Sequence, residues 1–219
     1  MDRPARSLEA AALLSLGPAL PRPILGQKSA GGWEKSWRQL RPARWHIMSS
    51  MGTATLVSVS EYLSTDYSPD CDYVDGEVLE RNVGEKDHGR LQALLIGLLL
   101  RLEKRLGIWV VLEQRVQVSP TRYRVPDICV IAGPEPQEQI FTQPPFLCVE
   151  ILSPEDRMSR MQEKIDDYLR FGVRFVWLVN PETKRAYVYT SEGMVEVKDG
   201  VLRTKDPGIA VPLAEVFPA

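Results

Sequence analysis

Two acidic residues stand at apolar segments near the middle of this 219-residue chain. Asp127 follows Pro126 and precedes the apolar residues 128–131, and Glu150 lies inside the apolar residues 146–152. Both segments are short and rich in β-branched residues, which predicts buried strands of a sheet that is covered on two faces. Because burial of an ionised carboxylate without a partner is costly, each acid needs a cation, an arginine or a proton beside it.

A lysine follows these two acids on a predicted helix. Residues 153–156 combine a serine N-cap, a proline at the first helical position and two acids in the first turn, so we expect the helix to begin there. It should run to about Phe171 and end at Gly172, with Lys164 at the margin of its apolar face, from which it can reach toward the sheet. The residues that form this face at helical spacing are Met158, Met161, Ile165, Tyr168 and Leu169.

Two carboxylates and a lysine that converge at strand ends suit the metal-dependent cleavage of a phosphodiester. Mg²⁺ prefers a few oxygen ligands and keeps several waters, so one or two carboxylates plus phosphate oxygens of the substrate make a sufficient site. Asp127 and Glu150 could supply these carboxylates. The Lys164 ammonium could hold the scissile phosphate or help to orient an attacking water.

Four ordered blocks of sequence carry a resemblance to a known family. They are Pro126-Asp127, residues 149–154, Lys164 with Tyr168, and residues 175–181. Together they resemble the Uma-type restriction endonuclease family of the PD-(D/E)XK nuclease superfamily over roughly residues 59–217, and the combination is specific although each block alone is weak. The resemblance implies an α/β, restriction-endonuclease-like fold with a central mixed β-sheet flanked by helices.

The same resemblance implies an activity and a set of ligands. It implies an endonuclease that uses Mg²⁺, with Mn²⁺ as a substitute, to hydrolyse phosphodiester bonds in DNA and to leave a 5′-phosphate. Asp127 and Glu150 would be metal ligands, and the backbone carbonyl of Ile151 would be a further one. The usual lysine of the superfamily would stand at Leu152, so in this chain its role would pass to Lys164.

Two upstream residues match the family as possible accessories. Glu77 follows the turn Asp75-Gly76, and His88 opens a predicted helix. Each has a plainer alternative, because a glutamate in a hairpin strand and a histidine at a helix start are common without any function. Tyr168 and Trp177 fit a packed core better than contact with a cofactor.

Structural alternatives also apply to the main candidates. Asp127 could form a salt bridge with Arg115, Arg122 or Arg124. Lys164 could be a solvated helix residue paired with an acid such as Asp167 or Glu163. The functional alternatives are a catalytically inactive nuclease fold that binds nucleic acid, and a hydrolase of RNA or another phosphodiester.

The charge balance argues against broad nonspecific binding to DNA. The chain has 27 Lys and Arg against 29 Asp and Glu, and a net charge of -2 at pH 7. Affinity for DNA grows with the number of phosphates that Lys and Arg neutralise, so a nuclease of this composition must concentrate its positive charge locally. The basic residues near the predicted site in sequence are Arg115, Arg122, Arg124, Arg157, Arg160, Lys164, Arg170 and Arg174.

The first fifty residues differ in character from the rest. Residues 1–47 hold about eight Lys and Arg against about three Asp and Glu, and they lack hydrophobic periodicity. We interpret residues 1–50 as a flexible extension or a mis-assigned start, with Met48 or Met51 as the real initiator, and residues 51–219 as the nuclease-like domain.

Composition predicts a cytoplasmic protein without a membrane span. The three cysteines lack zinc-ligand spacing and suggest reduced thiols. The leucine-rich residues 91–102 are too few to cross a bilayer, and they could be core or could face a partner in a homodimer.

The remaining elements follow from periodicity and turn signals. A short helix is expected at residues 58–63, a hairpin at 71–81 with its turn at Asp75-Gly76, and a long helix at 86–106. Strands are expected at 108–118, 126–131, 146–152 and 174–179, and a closing meander at 185–190, 194–198 and 201–204.

Overall fold

The computed structural model describes residues 56–81 and 85–217 of the chain. Its helices are α1 (Val59–Ser64), α2 (Lys86–Leu100), α3 (Glu103–Leu106), α4 (Met158–Phe171) and α5 (Leu213–Val216). Its strands are β1 (Asp72–Val74), β2 (Glu77–Leu79), β3 (Ile108–Leu112), β4 (Val116–Ser119), β5 (Arg122–Arg124), β6 (Ile128–Ala132), β7 (Leu147–Ile151), β8 (Phe175–Asn180), β9 (Arg185–Thr190), β10 (Gly193–Glu196), β11 (Val201–Arg203) and β12 (Ala210–Pro212).

A six-stranded mixed sheet forms the centre of this fold. Its order is β10-β9-β8-β7-β6-β3, with two smaller sheets in the orders β2-β1-β5-β4 and β11-β12. Among the strand pairs of the described residues, β7 and β8 form the parallel one, and α4 is the crossover between them. The remaining neighbours in the central sheet are antiparallel.

Helices cover both faces of the central sheet. On one face the buried leucines of α2, which are Leu91, Leu95 and Leu99, pack with Val149 and other residues of β6, β7 and β8. On the other face the apolar side of α4 packs on alternate residues of the same strands, including Cys148. The expected mixed α/β fold with a helix-flanked central sheet is therefore confirmed. The leucine stripe of α2 packs in the core, and a homodimer stays a prediction.

Helix α4 begins later than the sequence predicts. The Asp156 carboxylate accepts a hydrogen bond from the Ser153 backbone N–H, and the Asp156 N–H donates to the Ser153 carbonyl, so residues 153–156 close a separate turn. The helix starts at Met158, whose side chain is 54% exposed and does not belong to the apolar face. Its end at Gly172, with φ of 110°, is as predicted.

Two other expected elements are each divided in the structure. The long helix predicted for residues 86–106 consists of α2 and the short α3, which ends at Gly107 with φ of 62°. The strand predicted for residues 108–118 is β3 and β4, which lie in different sheets because the chain turns at Glu113 with φ of 46°. The short elements β5, β12 and α5 carry too few residues to show a period.

Three further predictions concern the N-terminal extension, a membrane span and the cysteines. The predicted extension at residues 1–50, and Met48 and Met51, lie outside the described residues. Within the described residues no helix is long and apolar enough to cross a membrane. The three cysteines are free and buried, and Cys129 and Cys148 are neighbours across β6 and β7.

Candidate active site

Asp127 lies immediately before β6, and a backbone N–H and an arginine donate to its carboxylate. The register of β6 against β7 pairs Ile128 with Val149, and its continuation by one residue sets Asp127 opposite Glu150. The Asp127 Oδ2 accepts the Ile151 backbone N–H at 2.7 Å. An arginine from elsewhere in the chain, Arg81, donates to Oδ1 at 2.5 Å. The carboxylate is therefore fixed in place by the neighbouring strand and by one cation.

His88 approaches the same carboxylate from the start of α2. Its Nε2 lies 3.3 Å from Asp127 Oδ2, and the histidine is buried. The hydrogen bond to Asp127 raises the pKa of His88, although burial opposes that shift. The α2 helix thus supplies a donor to the site, in addition to the leucines that it packs into the core.

Glu150 lies in the middle of the apolar β7 strand and is 2% exposed. Its Oε2 is 3.0 Å from Lys164 Nζ, and its Oε1 accepts the Tyr168 hydroxyl at 2.7 Å. Lys164 and Tyr168 are one helical turn apart on α4, so both project toward the sheet from the same side of the helix. The helix therefore holds both oxygens of the buried acid.

Lys164 is itself buried, at 7% exposure, among oxygen atoms. Besides Glu150, its ammonium donates to the Val125 carbonyl at 3.0 Å and lies 3.8 Å from Asp72 Oδ2. Asp72 in turn accepts the Val125 N–H at 2.8 Å and pairs with Arg124 at 3.2 Å. The lysine has a fixed position, and it is not the solvated helix residue that pairs with Glu163.

These side chains line one cleft of about 200 Å³. Of the predicted site residues, Asp127, Glu150, Ile151, Lys164 and His88 all line it. The exposed Glu77 on β2 does not line it, and we leave Glu77 out of the site. The other lining residues are Asp72, Leu79, Glu80, Arg81, Arg124, Glu155, Asp156, Arg157, Arg160 and Met161.

The two acids differ in their ionisation. Burial raises the pKa of Glu150 to about 7, although the Lys164 charge opposes the shift and the nearby Asp127 reinforces it. For Asp127, burial acts in the same direction, but the hydrogen bond from His88 and the positive charge of Arg81 together hold its pKa below the usual value. Asp127 is therefore the member of the pair that is ionised at neutral pH.

The charge of Lys164 is maintained by its acidic neighbours. Burial on its own would lower the pKa of this amine, but Asp72 and Glu150 raise it above the ordinary value. The ammonium is thus present at neutral pH despite the loss of water around it. A fixed positive charge at this place can stabilise an anionic group that enters the cleft.

Most of the arginines that the sequence suggests as a basic surface are engaged elsewhere. Arg115 pairs with Asp70, and Arg174 lies over the ring of Phe146. Asp167 pairs with three of the others, which are Arg122, Arg124 and Arg170. The salt-bridge alternative for Asp127 is therefore wrong in its partners, because Asp127 pairs with Arg81.

Two arginines remain at the cleft itself. Arg157 and Arg160 line it, and neither takes part in an ion pair within residues 56–81 and 85–217. Arg157 directly precedes α4, and Arg160 lies in its first turn. Of the basic surface that the sequence suggests, the arginines that line the cleft without an ion pair in the described residues are therefore these two, and they lie at one end of α4.

Sequence reasoning missed three polar partners of the predicted site residues, two at the acids and one at Lys164. Arg81 is 46 positions from Asp127, so no local spacing connects the two residues. Asp72 reads as an ordinary hairpin residue. Tyr168 is buried as expected, but its hydroxyl bond to Glu150 is new; the i, i+4 spacing from Lys164 was the signal that could have indicated it.

The described residues form an α/β fold in which a helix-flanked mixed sheet carries a buried acid pair at adjacent strands, with a lysine from the crossover helix. The family model described as "Uma2: Putative restriction endonuclease" matches residues 59–215, and the chain belongs to this family. The fold is similar to a crystal structure titled as a putative nuclease belonging to DUF820 from Anabaena variabilis. That similarity has a TM-score of 0.64 at 19% identity and covers 74% of this chain and 97% of the other. The comparison with curated proteins gave no match.

Proposed function

We propose that this protein is a magnesium-dependent DNA endonuclease with its active site at the Asp127–Glu150 cleft. The observation that carries the proposal is the convergence of two buried carboxylates and the Lys164 ammonium on one solvent-connected cleft. Buried ionisable groups with shifted pKa values that line a cleft are typical of catalytic sites. Membership in the family described as "Putative restriction endonuclease" supports nucleic acid as the substrate.

The donor set fits Mg²⁺. Asp127, Glu150 and the backbone carbonyl of Ile151 would hold it, with Mn²⁺ as a substitute, and all three are oxygen donors on residues that line the cleft. No group of three or more His, Cys, Asp and Glu side chains suited to a metal occurs in the described part of the chain. Magnesium needs only one or two carboxylates because it keeps waters and binds phosphate oxygens. When bound, it would supply Lewis-acid stabilisation and a more acidic water.

The protein groups around the acids have separate tasks in this proposal. Arg81 and His88 keep Asp127 ionised and oriented. Tyr168 and Lys164 orient Glu150, and the Lys164 ammonium neutralises charge on the phosphate or orients the attacking water. The positive charge of Arg157 and Arg160, at the edge of the same cleft, would attract the DNA backbone.

One specific observation favours a second candidate, a catalytically inactive nuclease fold that binds nucleic acid. Each of the four oxygens of the two carboxylates already has a protein donor: Arg81 and the Ile151 N–H for Asp127, and Lys164 and Tyr168 for Glu150. An acid pair stabilised in this way can persist as part of the fold without a metal. This candidate predicts that DNA is bound and not cleaved.

A cleavage assay on supercoiled plasmid tests the proposal. The native protein is compared with Glu150→Gln, and with Glu182→Gln as an exposed control outside the cleft, in magnesium, manganese or chelator. We expect metal-dependent nicking or linearisation that is lost in Glu150→Gln and retained in Glu182→Gln. Cleavage that survives Glu150→Gln would overturn this site, and DNA binding by folded native protein without cleavage in any metal would favour the inactive module. A parallel panel of RNA substrates tests the choice of nucleic acid.

A further inference from the structure

Arg81 carries a buried donor that nothing in the described structure satisfies. Its side chain is 9% exposed, and its Nη2 donates to Asp127 Oδ1. Its Nη1 is fully buried and has no hydrogen-bond partner within the described residues. An unsatisfied buried donor on a charged group costs free energy, so such a group calls for an acceptor.

The position of Arg81 limits what that acceptor is. Arg81 lines the cleft between the acids, and it also borders a neighbouring cavity that Tyr67 and Cys71 line. The Nη2 atom of the guanidinium is bonded to Asp127, which leaves Nη1 for a group that enters from one of these two spaces. A guanidinium is always charged, and its planar fork matches the oxygens of a phosphate.

We infer that Arg81 binds a phosphate oxygen of the substrate and positions that phosphate against Asp127. The inference rests on the proposed function, because it takes a nucleic acid as the occupant of the cleft. Arg81 would then bridge the catalytic carboxylate and the substrate, with Nη2 on the former and Nη1 on the latter. This gives the site a cation from the β2 side of the cleft, opposite in origin to Lys164 on α4.

The salt dependence of DNA binding tests this role without any need for turnover. Binding to a short DNA duplex is measured in chelator over a range of salt concentrations, for the native protein, Arg81→Gln and Arg81→Lys. The control is Arg185→Gln, which removes an exposed arginine outside the cleft. The slope of log affinity against log salt changes by about 0.9 for each phosphate contact that is lost.

We expect Arg81→Gln to reduce that slope by about 0.9 and to weaken binding about tenfold. Arg81→Lys should keep the slope and lose part of the affinity, since an ammonium retains the charge but not the fork. Arg185→Gln should bind as the native protein does. A role confined to neutralising Asp127 would lower the melting temperature of Arg81→Gln and leave the salt slope unchanged, and that result would overturn the inference.

The remaining outcomes separate a failure of the inference from a failure of the proposed function. If Arg81→Gln does not fold, the single variant Asp127→Asn is compared with the double variant Asp127→Asn, Arg81→Gln. Neither of these proteins buries an Asp127 carboxylate without its arginine. An equal salt slope in the two would overturn the inference. If the folded native protein neither binds the duplex nor cleaves plasmid in magnesium or manganese, the proposed function fails, and the inference fails with it. Cleavage in metal without binding in chelator would assign the phosphate contact to the metal and would overturn the inference alone. Native binding and cleavage with an unchanged slope in folded Arg81→Gln would overturn the role of Arg81 alone.

Discussion

The Lys164 ammonium lies 3.0 Å from a carboxylate oxygen of Glu150, although the two residues are 14 positions apart and on different elements. Helix α4 brings the lysine back over the strand that carries the acid. Leu152, where the superfamily resemblance would put a lysine, is buried among apolar residues on the α4 side of the sheet. The crossover helix thus provides the cation that the strand lacks.

Replacement of Lys164 by methionine should damage both stability and activity. The change leaves Glu150 buried without its cation, which typically costs about 3–5 kcal/mol when one partner of a buried pair is removed. Cleavage should fall by about a hundredfold or more, as is typical for the loss of one group that stabilises charge in the transition state. Denaturant unfolding and plasmid cleavage measure these effects. The exposed Lys198→Met should change neither, and an equal effect of both substitutions would contradict the prediction.

The stability of the metal-free protein should decline as the pH rises from about 4.5 to about 7. Burial raises the pKa of Glu150 to about 7, so the folded state binds a proton that the unfolded state has already released in this range. Stability falls with rising pH wherever the folded state binds more protons. His88, whose pKa is also raised, adds to the loss at the upper end of the range.

Melting temperatures in chelator across this pH range measure the effect. Glu150→Gln removes the titrating group, so its decline should be smaller than that of the native protein. The ionised Asp127 affects the pH dependence of stability only below this range, because the stabilisation it contributes is lost as the pH falls through its lowered pKa. A native profile that rises from pH 5 to pH 7 would be inconsistent with a protonated Glu150.

The pKa of His88 should depend on the charge of Asp127. The hydrogen bond that His88 donates to the Asp127 carboxylate raises the pKa of His88, so Asp127→Asn should move that pKa back toward lower values. The chain has two histidines, His46 and His88, and a His46→Ala variant assigns the two signals in an NMR titration. An unchanged His88 titration in Asp127→Asn would show that the two side chains do not interact in solution.

Loss of the Tyr168 hydroxyl should lower the stability of the fold and change the ionisation of Glu150. Tyr168→Phe removes a 2.7 Å hydrogen bond to a buried carboxylate, and we expect a loss of about 1–3 kcal/mol in the free energy of unfolding. That bond favours the ionised acid, so the pH at which cleavage is half-maximal should rise. Tyr189→Phe, at another buried tyrosine of the same face, is the control. A pH profile that is the same in both variants would argue against the role of the hydroxyl.

How far the sequence predicts this site depends on the distance between its parts along the chain. A glutamate inside an apolar strand and a lysine at the edge of a helical stripe are local signals, and both led to residues that meet in the structure. The contact of Arg81 with Asp127 was not predictable, because it depends on how the β1–β2 hairpin packs beside the central sheet. The late start of α4 was missed because Asp156 bonds to Ser153 in a turn that imitates a helix cap.

Both acids and their α4 partners lie in one continuous segment, from Asp127 to Tyr168, and this continuity has a consequence for the order of folding. The hydrogen bonds within it join residues 14, 18 and 24 positions apart, whereas the bond from Arg81 spans 46 positions. Shorter loops cost less entropy to close, and contacts of low sequence separation form sooner. The carboxylates and their α4 partners should therefore assemble early, and Arg81 should join a centre whose geometry is already established.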